Sequence, residues 1–120
     1  MPGPQMRLAQ KGSTMSYPMI GKSYEVRFPT MAFVLTFLSD KRLRFTVQSS
    51  PDLPAGSSHE VDIVMQPLRD GLYLVSWQEA SGNTVVHVED FNEHRVHAFL
   101  TMKDGMFIRQ DAPLVEVGST

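Results

Sequence analysis

The chain has 120 residues, the size of one domain. Lys and Arg number 11 against 13 Asp and Glu, a net charge of −2, so the basic excess of a nucleic-acid binder is missing. There is no Cys, which excludes a disulfide framework and any Cys-based zinc or redox site, and 42% apolar with 20% charged residues is globular composition rather than disorder.

Met1 to Met19 holds single apolar residues among Pro, Gly, Gln, Lys and Ser, so it has no secretory apolar region. No run approaches the ~18 apolar residues of a transmembrane helix. The expectation is a cytoplasmic protein that needs no membrane, with residues 1–20 as a flexible N-terminal tail and 21–117 as a single β-barrel domain.

From Gly21 onward the dominant period is two. Tyr24, Val26 and Phe28 alternate with Glu25 and Arg27, the pattern of a half-buried strand that Pro29 ends. Ala32 to Leu38 and Leu43 to Gln48, joined at Ser39-Asp40-Lys41, read as a hairpin. Ser49 to Ser58 is a Pro- and Ser-rich loop. Strands then follow at Glu60 to Gln66, Leu72 to Glu79, Thr84 to Phe91, Arg95 to Met102 and Met106 to Gln110, separated by short turns. Eight consecutive strands at this spacing predict an all-β, antiparallel, up-and-down barrel, because closure removes exposed edges. A barrel of about eight strands either fills with side chains or holds one small ligand.

Hairpin register decides which residues face inward. A two-residue turn at Ser81-Gly82 pairs Val86 with Trp77 and Val88 with Val75. The interior then collects Tyr73, Val75, Trp77, Glu79, Thr84, Val86, Val88, Asp90, Val96, Ala98, Leu100, Met102, Met106 and Ile108. Val85, His87 and Glu89 fall outside. Within that apolar lining Glu79 is the anomaly, since a buried carboxylate is costly unless partnered. It is the candidate polar anchor of a cavity, beside the aromatic wall of Tyr73 and Trp77.

No dinucleotide, P-loop, hydrolase or zincin motif is present, so no cofactor is expected. His87 and Glu89, with His97 opposite, are metal-ligand types, but this register puts them on a solvated outer wall, and no metal site is expected. Arg27, Arg42 and Arg44 lack interleaved exposed aromatics and read as a solvated face.

Val61-Asp62-Ile63-Val64-Met65, the run Gly71 to Gly82 with its Ser-Trp-x-Glu-x-x-Gly core, and Phe91 to His97 resemble two related groups of calycin type. One is the bacterial phenolic acid decarboxylases. The other, more similar through Trp77 to Phe91, is the MoaF-like domain. The resemblance spans about Gly21 to Val117 and implies a lipocalin-like barrel with a central cavity. In the decarboxylases the Glu of this motif acts inside the barrel, and it corresponds to Glu79. Two substrate-orienting Tyr correspond here to Val26 and Phe28, and an Arg falls near Thr46. Neither Val nor Phe can hydrogen-bond a carboxylate, so the resemblance does not extend to decarboxylation.

The expected function is binding of a small, partly apolar molecule in the cavity by Phe28, Tyr73, Trp77, Glu79 and Val86. Two other classes stay open. One is a small lyase or isomerase with Glu79 as general acid or base. The other is a ligand-free interaction module, such as a homodimer through Leu72, Leu74 and Val85.

Overall fold

The computed structural model describes residues 17–119, which form nine strands and, among those residues, no helix. They are β1 (Lys22–Arg27), β2 (Ala32–Ser39), β3 (Arg42–Ser49), β4 (Ser58–Asp62), β5 (Val64–Arg69), β6 (Leu72–Gln78), β7 (Thr84–Asp90), β8 (Arg95–Thr101) and β9 (Phe107–Ser119). Every pairing is antiparallel, and the strand order is β4-β3-β2-β1-β9-β8-β7-β6-β5. This is an up-and-down, nearly closed, calycin-like barrel. The long β9 closes it by pairing β8 with its first half and β1 with its second.

The count is nine rather than eight because the expected strand from Glu60 to Gln66 breaks at Ile63. Residues before Ile63 pair with β3, a register that the Ile63 N–H extends by donating to the Lys41 carbonyl at 3.0 Å, and residues after it pair with β6. The seam of the barrel lies there, between β4 and β5. Pro67 sits on β5, an edge strand, where a missing N–H costs no ladder bond.

Two turns depart from the expected ones. Between β6 and β7, Glu79 N–H bonds the Asn83 carbonyl and Gly82 N–H bonds the Glu79 carbonyl, each at 2.8 Å. The turn therefore has three residues, Ala80 to Gly82, with Gly82 at φ 102°. A left-handed glycine in third place is what such a hairpin requires. Trp77 consequently pairs with Val85, Val75 with His87 and Tyr73 with Glu89. A one-residue shift turns a strand over: Val85, His87 and Glu89 are buried inside, while Val86 and Val88 lie on the outer wall. The next turn holds four residues, Phe91 to His94, rather than three, so the displacement cancels. Val96, Ala98 and Leu100 face inward as expected. Met106, expected inside, is exposed at the rim.

The interior is filled over part of its length. Phe37, Leu43, Val61, Val75, Val96, Ala112 and Leu114 form a plug between two cavities. Each fully buried large apolar side chain contributes about 1.5–3 kcal/mol. Residues 1–16 of the expected tail lie outside the described residues. Of its remaining four, Met19 is buried in the core, and the Tyr17 ring meets the Tyr73 ring edge-on at 5.2 Å. On the outer wall each of the three arginines of the expected solvated face has a carboxylate: Arg27 has Glu25, Arg42 has Glu60 and Asp62, and Arg44 has Glu60. These pairs leave no single-sign basic stripe among them.

Candidate functional site

A cavity of about 240 Å³ opens at the end of the barrel where β6 runs out and β7 begins. Strand alternation supplies its walls: Val26 from β1 and Phe28 just beyond it, Phe33 and Leu35 from β2, Phe45 from β3, and Trp77 from β6. Val85, His87, Ala98, Leu100 and Gln110 complete them from β7, β8 and β9. The loop after β3 folds over the mouth with Ser50, Asp52 and Leu53. Ser50 Oγ accepts the N–H groups of Asp52 and Leu53 at 3.2 and 3.3 Å, which pins that lip. Polar groups thus gather at the mouth, and apolar side chains line the depth.

Glu79 sits half-buried on the rim, not within the apolar depth. The Trp77 indole Nε1–H donates to its Oε2 at 3.3 Å, and the Asn83 amide donates to its Oε1 at 3.5 Å. Asn83 Oδ1 in turn accepts the Lys103 N–H at 3.0 Å, tying this turn to the one between β8 and β9. The Trp-x-Glu spacing has a physical reason here. Residues two apart on a strand share a face, so the indole can reach the carboxylate while its ring forms the cavity wall.

His87 and Glu89 are the polar pair that register hid. His87 Nδ1 lies 3.0 Å from Glu89 Oε2, and Glu89 is fully buried. The second Glu89 oxygen has no hydrogen-bond partner among the described residues. The His87 ring meets Trp77 edge-on at 4.9 Å and Phe28 at 6.4 Å, so it lines the cavity between two of its aromatic walls. His97 is exposed on the opposite side of the wall, which separates the expected His/Glu/His set. Among the described residues no three His, Asp or Glu side chains are grouped to hold a metal. A three-residue turn ending in Gly, followed by Asn83, was the signal that would have turned β7 over.

Of the residues expected to line the cavity, Phe28, Trp77 and Glu79 do so. Tyr73 lies at the other end of the barrel, against a second cavity of about 280 Å³ with Tyr24, Phe91 and Glu116. Burial pushes the Tyr24 hydroxyl up to about 12, with the Glu116 and Glu89 carboxylates adding to the rise. Val86 is on the outer wall. Val85, assigned to an outer apolar face with Leu72 and Leu74, is inside. His59 is on β4, where its ring stacks on Phe45 at 5.1 Å.

An antiparallel barrel with a partly filled interior and one apolar-walled cavity defines a calycin-like protein. The chain belongs to the MoaF-like family, whose model matches residues 20–115. Fifteen chains of known structure also match it. One is a crystal structure from Burkholderia vietnamiensis described as a "putative beta-lactamase". It is 32% identical, with a TM-score of 0.79 over 87% of this chain and 100% of that one. No curated protein matches the chain.

Proposed function

We propose that this barrel binds a compact, mostly apolar molecule with one polar end, its ring or chain against Phe28, Trp77, Val85 and Ala98 and its polar end at Glu79. The carrying observation is the cavity of about 240 Å³ with apolar depth and a polar mouth. Ligand sites have this build: apolar walls with a few placed polar groups that set orientation. Size narrows the ligand. A dry apolar cavity of about 150 Å³ holds benzene, so this one suits a single substituted ring. Glu79, an acceptor with donors already on both oxygens, favours a ligand end that brings a further donor or a positive charge.

The name attached to the Burkholderia relative does not carry over. Serine-type β-lactam chemistry uses a Ser-x-x-Lys motif, and no serine of this chain has a lysine three residues on. The grouped ligands of a metal-dependent enzyme are missing among the described residues.

A thermal-shift series with benzylamine, benzaldehyde and toluene tests the proposal. A ligand at 100 times its Kd adds about 2.7 kcal/mol of stability, which raises Tm by several degrees. Benzylamine should raise it most, and Glu79→Gln should remove that preference. A Tm unchanged by all three compounds overturns the proposal.

A further inference from the structure

We infer that His87 is a proton-transfer group of this cavity, a general base positioned by Glu89, for a ring compound carrying an acidic C–H. The inference rests on the cavity-binding reading above and assigns that site a chemistry.

Three observations combine. First, His87 lines the cavity, and Glu89 holds it from behind at 3.0 Å through Nδ1. With Glu89 ionised, Nδ1–H is the donor, and the lone pair is on Nε2. Nε2 has no hydrogen-bond partner among the described residues, and the residue lines the cavity. That is the arrangement by which a carboxylate fixes the tautomer of a catalytic imidazole and balances the charge it acquires. Second, Glu89 is a fully buried carboxylate with one oxygen unpartnered. A purely structural position would be filled more cheaply by an apolar residue. Third, the walls around His87 are Trp77, Phe28, Val85 and Ala98. They offer no nucleophile, so what the imidazole can do among them is move a proton.

The step balances without a further reactant. Nε2 takes the proton from the ligand carbon, and the C–H electron pair stays on the ligand, delocalised onto a neighbouring carbonyl oxygen. Gln110, level with His87 on the inward face two strands away, is an amide donor for that oxygen. Return of the proton to another carbon gives isomerisation, and loss of a neighbouring group gives elimination. Glu79 is a different group in a different place: it stands at the rim with donors on both oxygens.

The probe is 5-nitrobenzisoxazole, one small ring system that a base opens in one step. The base removes the ring C–H proton, that electron pair forms the nitrile, and the N–O bond breaks to leave a coloured phenolate. Entry of the probe is followed separately by quenching of Trp77. Wild-type protein should open the ring with saturation. His87→Gln should slow turnover about 100-fold or more, the usual scale of acid–base catalysis. Glu89→Gln should lower kcat about tenfold or more with KM unchanged, as expected for a lost orienting group. His97→Gln, on the outer wall, should change nothing. Imidazole in solution should restore turnover to His87→Ala, which a structural histidine would not allow. Quenching with turnover no faster than that of His87→Gln overturns the proton-transfer inference alone. No quenching overturns the cavity-binding reading with it.

Discussion

His87 Nδ1 and Glu89 Oε2 stand 3.0 Å apart inside the barrel, two residues apart on one face of β7. Each needs the other, because removing one partner leaves the other group buried and uncompensated. His87→Leu should therefore cost about 3–5 kcal/mol, whereas His87→Leu with Glu89→Leu should recover most of that loss. Urea unfolding of the two singles and the double measures the coupling. Additive losses would show that the pair does not hold together as described.

Gly82 carries the register of the β6–β7 hairpin. Its φ of 102° is in the left-handed region, and a Cβ there would stand 3.1 Å from Lys103 Cβ. Gly82→Ala should lose about 1–3 kcal/mol through backbone strain, and more than Gly105→Ala. Gly105, at φ 93°, has open space around its missing Cβ, so its substitution meets strain alone. Paired thermal melts decide the order.

All three tyrosines have hydroxyls raised by burial, Tyr24 to about 12. A group whose folded value lies above its unfolded value of 10.0 favours folding fully below pH 10.0 and loses that contribution as pH climbs towards 12. Stability should therefore fall across that interval, and Tyr24→Phe should flatten the fall. Tyrosinate absorbance against pH, read beside circular dichroism, checks it. Ionisation of all three with the midpoint of free tyrosine in the folded protein would contradict it.

The ion pairs of Arg42 with Glu60 and Asp62 bridge β3 to the edge strand β4 in solvent. Exposed pairs of this kind contribute little to stability, so Arg42→Ala should lower the denaturation midpoint only slightly. The loss should shrink in molar salt. Denaturant midpoints at low and high salt measure both.

The barrel was legible because it rests on period-two alternation, which Tyr24, Val26 and Phe28 show without ambiguity and which the core repeats. The Trp-x-Glu motif was legible for the same local reason. What was not legible depended on single residues in turns. Ala80, Ser81 and Gly82 are compatible with a two- or a three-residue loop, and only one of these puts His87 and Glu89 indoors. Polar residues on β7 also look like an outer face, because burial of a His–Glu pair goes against the average pattern. The break at Ile63 was hidden as well. It comes from a change of partner strand, from β3 before Ile63 to β6 after it, on which local alternation is silent.

Trp77 is the only tryptophan and forms a wall of the cavity, so its emission reports occupancy directly. The decisive measurement is a Trp77 fluorescence titration with benzylamine on wild-type protein and on Ala98→Leu, which fills the cavity from β8. A saturable change in wild type that Ala98→Leu abolishes is the predicted result. A flat wild-type titration, or an equal response from the filled variant, would contradict binding in this cavity.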